Sequence, residues 1–120
     1  MVQIKLKRVY DDMDPSDGLR VFVDRLWPRG VKKTSFHYDI WAKDITPSPE
    51  LRTWFHQDPE KRWDEFASLY KKELAGSGAV KAFIESIRTH PVVTLLYASK
   101  EKEHNYVIIL KEFLVFDLVN

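Results

Sequence analysis

The segment VVTLLYA, residues 92–98, constrains the fold more than any other part of the chain. Its side chains are apolar almost without a break, whereas a strand with one face in water alternates apolar and polar residues. A continuous apolar run of this length predicts a strand that is covered on both faces, which is typical of strands in parallel sheets.

Two further strands are expected in the first quarter of the chain. Val2, Ile4 and Leu6 alternate with polar residues, which predicts a half-exposed strand, and the lysines on its open face suit the edge of a sheet. A second strand is predicted at about 19–25. The segment 11–18 between them is too short for a crossover helix, so the pattern leaves open whether these two strands are parallel.

Helices are predicted for most of the remaining chain. Two starts share a signature, Ser48-Pro49-Glu50 and Asp58-Pro59-Glu60, in which a capping side chain precedes a proline and a glutamate. The last apolar segment, 106–110, suits a hairpin strand by propensity, but its helical spacing favours a helix. The helices expected are a short one at about 37–43, one from Ser48, one from Asp58 to about residue 75, one that follows AGSGA and stops at His90-Pro91, and one at 103–115.

The predicted order is strand, strand, several helices, strand and helix. The natural solution is an α/β fold, a single small layered domain over residues 1–120 with a central, mostly parallel sheet flanked by helices. The 120 residues suit one domain, and 44% hydrophobic residues suffice for a core.

Composition excludes several classes of function. The chain has no cysteine, so thiolate nucleophiles, disulfides and zinc–cysteine sites are ruled out, and no histidine pair has zinc-ligand spacing. We expect no metal and no cofactor. The 19 basic and 18 acidic residues nearly balance, so net charge does not indicate nucleic acid or an anionic membrane as a partner. The N-terminus lacks the apolar run of a signal peptide and no segment is long enough to span a membrane, so we expect a soluble, cytoplasmic protein; the oligomeric state is left open.

Charged and aromatic residues cluster where two predicted strands end. The sequence VDRLWPRG places Asp24, Arg25, Trp27 and Arg29 directly after the second strand. Ligands of open α/β sheets bind outside the carboxyl ends of the strands, so the two clusters would share one crevice if these strands were parallel neighbours. The second cluster, after the late strand, consists of Tyr97, Ser99, Lys100, Glu103, His104 and Asn105.

These residue types suit an anion. Arg25 and Arg29 offer planar forks for phosphate, sulfate or carboxylate. His104 and Asn105 are expected in the first turn of the last helix, where free backbone N–H groups attract negative charge and a neutral imidazole could act as a base. Asp24 would orient a guanidinium, or act as the acid or base itself.

The same residues also have purely structural interpretations. An ion pair of Asp24 with Arg25 or Arg29 would fix the turn without any ligand. The four tryptophans are more often core or rim residues than ligand platforms. Surface or capping roles are the ordinary ones for the histidines His37, His56 and His90.

Two motifs, VDRLWPRG and LLYA followed by EHN, resemble those of domain-of-unknown-function family 488, in its short YeaO-like branch. The resemblance extends over about residues 3–116 and includes WAKDITPSPELRTWF and DPEKRWDEF. It implies a small α/β domain with a helix after the His-Asn pair, and it implies no particular activity because the family has no established one. The motif residues map onto Asp24, Arg25, Trp27, Pro28, Arg29, Gly30, Tyr97, His104 and Asn105.

Three departures from the family pattern argue against some chemistries. The cysteines that longer relatives carry near the second motif are absent, so thiol chemistry does not transfer. Relatives commonly have a histidine where this chain has Gln57, with His56 one position earlier, and a second histidine where it has Tyr106. A function that needs a histidine cluster is therefore disfavoured.

Two hypotheses follow. The first is an enzyme-like pocket for a small anionic ligand, a nucleotide or phosphorylated metabolite, with His104 as acid or base and Asp24 and Asn105 orienting groups. The second is a non-catalytic module that binds a protein or nucleic-acid partner through the same basic and aromatic surface. A concave pocket favours the first hypothesis, and a flat surface favours the second. The candidate ligand contacts are Arg25, Trp27, Arg29, Tyr97, Lys100 and Asn105.

Overall fold

A computed structural model describes residues 2–119 as one four-stranded parallel sheet with four α-helices. The strands are β1 (Gln3–Arg8), β2 (Leu19–Phe22), β3 (Ile40–Trp41) and β4 (Val92–Tyr97). They lie in the order β1-β4-β2-β3. The helices are α1 (Pro49–His56), α2 (Pro59–Ala75), α3 (Gly78–Ile87) and α4 (Tyr106–Val119).

The α/β class and the parallel sheet are confirmed. β4 lies between β1 and β2, and its residues 93–97 are all buried, as the apolar run predicts. β1 lies at an edge of the sheet, and its lysines reach the loop before β2: the Lys5 Nζ donates to the Ser16 carbonyl at 3.0 Å and the Lys7 Nζ to the Asp12 carbonyl at 2.7 Å. None of the helices within residues 2–119 is long and apolar enough to cross a membrane.

The strand order also settles the direction of β1 and β2. Both run parallel to β4, so they are parallel to each other without being neighbours. Residues 9–18 therefore return across β4, where the Thr94 Oγ1 donates to the Asp17 carbonyl at 2.7 Å. The return ends at Gly18, whose φ of +63° suits glycine and where a Cβ would clash with the Val92 carbonyl. Ten residues are long enough for this return without a helix.

The two faces of the sheet are covered differently. Alternate strand residues, such as Val21 and Leu95, pack with residues of all four helices in the larger core. The opposite face carries Phe22 and Leu96, which pack in a smaller core with loop residues. Phe22 lies at its centre, within 6.4 Å of the ring centroids of Trp27, Phe36, Tyr38 and Trp41. A layer of loops and aromatic side chains thus replaces helices on this second face.

The helix expected at about 37–43 is wrong. Residues 40 and 41 form the edge strand β3, and a short 3₁₀ turn follows at Lys43–Ile45. The reason is pairing with β2: the Asp39 N–H donates to the Arg20 carbonyl and the Ala42 N–H donates to the Phe22 carbonyl, both at 2.8 Å. A strand of two residues has no periodicity of its own, so only its partner specifies it.

Helices α1 and α2 each begin at the proline of their predicted signature. Ser48 caps α1 by accepting a hydrogen bond from the Leu51 N–H at 3.3 Å. Asp58 occupies the corresponding position before α2, but its side chain makes no capping hydrogen bond. The last segment is helical as expected, although α4 begins at residue 106 and not at 103, and β2 ends at residue 22.

A buried ionic cluster fixes the loop before β2. Asp17 and Arg20 are each 3% exposed and form an ion pair, and Lys7 binds the other oxygen of Asp17 at 2.8 Å. Arg20 also donates through Nε to the His37 carbonyl at 2.9 Å. The cluster ties the return loop, β1 and β2 together on the face without helices.

Candidate functional site

A cleft of about 420 Å³ opens at the carboxyl ends of β2 and β4. Its walls come from the segments that follow β1, β2 and β4, from Thr46, from α1 and α2, and from the first residue of α4. β2 and β4 are parallel neighbours, with Phe22 opposite Leu96, so members of both clusters named from the sequence meet at this edge. From the second cluster these are Ser99, His104 and Asn105. This is the concave arrangement that the first hypothesis requires.

Asp24 joins the two strand ends. Its Oδ2 accepts a hydrogen bond from the Ala98 N–H at 2.9 Å, and its Oδ1 accepts one from the Tyr106 hydroxyl. The same hydroxyl lies 2.5 Å from the Val23 carbonyl oxygen. Within residues 2–119, Asp24 forms no ion pair with Arg25 or Arg29, so the structural pairing considered from the sequence is wrong in its partners. The carboxylate instead connects β2 to β4 and α4.

The electrostatics of Asp24 reflect its burial. Burial raises the pKa of Asp24, while the hydrogen bonds from Tyr106 and Ala98 and the positive charge of Arg52 act in the opposite direction. Burial, and then the negative charge of Asp24, raise the pKa of the Tyr106 hydroxyl well above its usual value. Tyr106 is therefore a hydrogen-bond donor at neutral pH.

Replacing Tyr106 with phenylalanine is expected to lower the free energy of unfolding by about 1–2 kcal/mol, because a partly buried carboxylate loses a hydrogen-bond donor. The pKa of Asp24 should rise further, since one of the interactions that lower it is gone. Urea denaturation measures the first effect. The matched control is Tyr38→Phe, because the Tyr38 hydroxyl makes no hydrogen bond within residues 2–119. Equal stability of the two variants would contradict a structural role for the Tyr106 hydroxyl.

Three arginines line the cleft with donors that the protein does not use. Arg25 and Arg29 come from the segment after β2, and Arg52 lies on α1. Arg25 donates one hydrogen bond, from Nε to the Pro47 carbonyl at 3.3 Å. The guanidinium groups of Arg29 and Arg52 donate none within residues 2–119. Most of the N–H groups on these three side chains are thus free for a ligand.

The other four arginines of the chain behave differently. Arg8 donates to two carbonyls, Arg20 forms the buried pair with Asp17, Arg62 binds Gln57 and the Trp54 carbonyl, and Arg88 pairs with Glu85. Each is committed to acceptors of the protein itself. Within residues 2–119, the arginines whose guanidinium groups donate no hydrogen bond are Arg29 and Arg52, and both line the cleft.

His104 and Asn105 are placed differently from the expectation. Both precede α4 and are not in its first turn, because Asn105 caps the helix: its Oδ1 accepts from the Val107 N–H at 3.0 Å. The Asn105 amide also donates to the Glu101 carbonyl at 3.1 Å, so both ends of this buried side chain have partners. The His104 ring lines the cleft and packs against Trp63, with 5.1 Å between ring centroids.

The remaining expected site residues divide into two groups. Trp27 lines the cleft, with its indole N–H donated to the Val31 carbonyl at 2.7 Å and its ring packed in the Phe22 cluster. Tyr97 and Lys100 do not belong to the cleft lining found within residues 2–119. Tyr97 is buried in the core between the sheet and the helices, and Lys100 is exposed on the loop after β4.

Sequence reasoning missed two residues of α1. Arg52 and His56 are four residues apart, so they share one face of the helix, and both line the cleft. Partial burial, and then the positive charge of Arg52, lower the pKa of His56. The i, i+4 spacing was available in the sequence, but an arginine and a histidine on a helix usually mark a solvated face.

Within residues 2–119 no group of three or more histidine, aspartate or glutamate side chains is arranged to hold a metal ion.

Comparison with known proteins identifies relatives along nearly the whole chain. The family model described as "Inactive DUF488-N3 subclade" matches residues 3–120. An uncharacterised protein of Mycobacterium tuberculosis and one of Mycobacterium bovis are each 43% identical over 112 residues, which cover 93% of this chain and 93% of theirs. The uncharacterised protein YeaO of Escherichia coli is 42% identical over 113 residues, 94% of this chain and 97% of YeaO. No solved structure matches the chain significantly.

Proposed function

This chain belongs to the DUF488 family, in the part of it described as the inactive DUF488-N3 subclade, and from the geometry of its cleft we propose that it binds a small anionic ligand of the nucleotide or phosphorylated-metabolite class. The observation that carries the proposal is the convergence of Arg25, Arg29 and Arg52 on one cleft with most of their donors unused. Arginine forks bind phosphate and carboxylate oxygens through pairs of parallel hydrogen bonds.

The charge of the cleft supports an anion. Among residues 2–119, its lining contains three guanidinium groups and a single carboxyl group, that of Asp24. Both oxygens of Asp24 already accept hydrogen bonds, so this carboxylate is not arranged to neutralise the arginines. With Asp24 ionised, three positive charges and one negative charge leave a net charge of +2, which a dianion such as a phosphate monoester would match.

The size and the walls of the cleft support a ligand larger than a single oxyanion. A volume of about 420 Å³ lies in the range of small-molecule sites, and a phosphate group alone would leave most of it empty. Trp27, Phe55 and Phe66 contribute apolar and aromatic wall to the rest. A ligand that joins an anionic group to a flat or apolar group fits both parts of the cleft.

Our proposal concerns binding and does not depend on catalysis. The description of the subclade as inactive favours a binding role. Asp24 and Asn105 have structural tasks, since one connects the strand ends and the other caps α4. The catalytic roles expected of Asp24 and His104 remain predictions.

A thermal-shift screen of the full chain against nucleotides, sugar phosphates and simple oxyanions tests the proposal. A ligand at about 100 times its Kd should add about 2.7 kcal/mol of stability, which raises Tm by several degrees. The shift should disappear in Arg29→Ala, because this exposed side chain contributes donors to the cleft and makes no hydrogen bond within residues 2–119. Arg88→Ala, which breaks an exposed pair away from the cleft, should keep it. If no compound shifts the wild type, the proposal fails.

A further inference from the structure

We propose that Arg52 and His56, one turn apart on α1, form a single arm of the anion site in which the His56 imidazole takes up a proton when the anion binds. This inference rests on the proposed function and adds to it that binding is linked to pH. It also assigns a ligand-binding role to two residues outside the two motifs VDRLWPRG and LLYA with EHN.

The two side chains lie on the face of α1 that borders the cleft. Arg52 and His56 project from the same helical face into the cleft, and within residues 2–119 neither side chain has a hydrogen-bond partner. The His56 ring rests against Phe55, with 5.5 Å between ring centroids, which covers part of the ring and leaves the rest open to solvent. An anion held by Arg52 would therefore lie within reach of the imidazole.

The charged groups around His56 oppose its protonation in the free cleft. Arg52 is its neighbour on α1, and Asp58 and Arg62 follow on the turn and helix beyond, where Arg62 is already bonded to Gln57. From the other walls of the cleft come the titratable and charged groups of Tyr10, Asp24, Arg25, Arg29, His104 and Tyr106. The ionised groups that line the cleft are thus mainly cationic and oppose a further positive charge until an anion enters.

Anion binding and protonation of His56 are expected to favour each other. In the free cleft, partial burial and Arg52 keep the pKa of His56 below its usual value of 6.5, so the ring is neutral at pH 7. A bound anion offsets the repulsion from Arg52 and attracts a proton to the ring, so the pKa is higher in the complex. Anion affinity must then increase as the pH falls through this window, by at most about tenfold per pH unit for one proton.

The test is an NMR pH titration of the four histidine rings of the full chain, with and without sodium sulfate. Sulfate is the probe because its own charge does not change near neutral pH, and sodium chloride at matched ionic strength is the control. The His56 resonance should titrate at higher pH in sulfate than in chloride. The signals of His37 and His90, which do not line the cleft, should be the same in both salts at each pH. Sulfate affinity, followed at the Trp27 indole signal, should rise by up to about tenfold between about pH 7.5 and about pH 5.5.

Variants assign the proton. His56→Gln keeps a polar side chain without the charge, and it should abolish the pH dependence of sulfate affinity, whereas His90→Gln should preserve it. If the Trp27 signal saturates with sulfate but the His56 titration does not move, the linkage is overturned and the anion site stands. A pH dependence that survives in His56→Gln and vanishes in His104→Gln also overturns the assignment. If sulfate perturbs no cleft signal at either pH, both this inference and the anion site fail.

Discussion

Replacing Arg29 and Arg52 together with glutamine is expected to weaken binding of a phosphorylated ligand by about a hundredfold or more. Each guanidinium that contacts the anion contributes a charged hydrogen bond worth about 1.5–3 kcal/mol, and the two side chains come from different walls of the cleft. Because neither guanidinium bonds to the protein within residues 2–119, the fold should be nearly indifferent to their loss. Titration calorimetry with the best ligand from the screen measures the affinity, and urea denaturation measures the stability.

The matched control for this pair is Arg62→Gln with Arg88→Gln, which removes the same charge from arginines that are committed to protein acceptors. That control should keep the ligand affinity within about twofold after correction for ionic strength. A similar loss of affinity in both double variants would mean that net charge and not the cleft attracts the ligand. A large loss of stability in the Arg29/Arg52 variant would show that these arginines hold the fold.

Asp17→Ala is expected to be the most destabilising of the substitutions considered, by about 3 kcal/mol. It leaves Arg20, a residue that is 3% exposed, without its carboxylate partner, and removing one partner of a buried pair leaves an uncompensated charge. Urea denaturation of the variant and of the wild type gives the difference. Arg20→Met in the Asp17→Ala background should recover part of the loss, because the buried charge is then gone.

The pair Glu85–Arg88 provides the control, since it has the same i, i+3 spacing but is exposed. Glu85→Ala should lower the free energy of unfolding by less than about 1 kcal/mol.

The stability that Asp17 contributes is expected to depend on pH. Burial acts to raise the pKa of the Asp17 carboxyl, but the hydrogen bonds from Lys7, the Asp14 N–H and Arg20 together lower it. The contribution of Asp17 to stability is therefore complete above the usual pKa of 3.8 and is lost as the pH falls through the lower folded-state value. An Asp17→Ala variant as stable as Glu85→Ala would contradict the account of this cluster.

The sequence predicts those elements of the fold whose residues specify them locally. The apolar run 92–98 predicts β4 because burial on both faces leaves no polar positions, and Ser48-Pro49 predicts the start of α1 because the cap lies within four residues. The sequence does not predict β3, because its two residues form a strand only through pairing with β2. The sequence also does not predict that β4 lies between β1 and β2, because strand order depends on contacts between residues that are far apart along the chain.

The candidate site divides in the same way. Asp24, Arg25 and Arg29 follow a strand, and a charged residue at a strand end is visible in the sequence. Arg52 and His56 lie on a helix that reaches the same cleft only because α1 packs beside it, and no local pattern reports that packing. The sequence also does not predict that Asp24 connects the strand ends or that Asn105 caps α4, because their hydrogen-bond partners are brought close only by folding.

The measurement that tests the anion site most directly is an NMR titration of the arginine Nε–Hε signals with a nucleoside monophosphate. The seven arginines of the chain give seven reporters, of which three line the cleft. The signals of Arg25, Arg29 and Arg52 should move and saturate with one common affinity, while the other four stay in place. Movement of the other four without these three, or equal drift of all seven without saturation, would contradict the anion site.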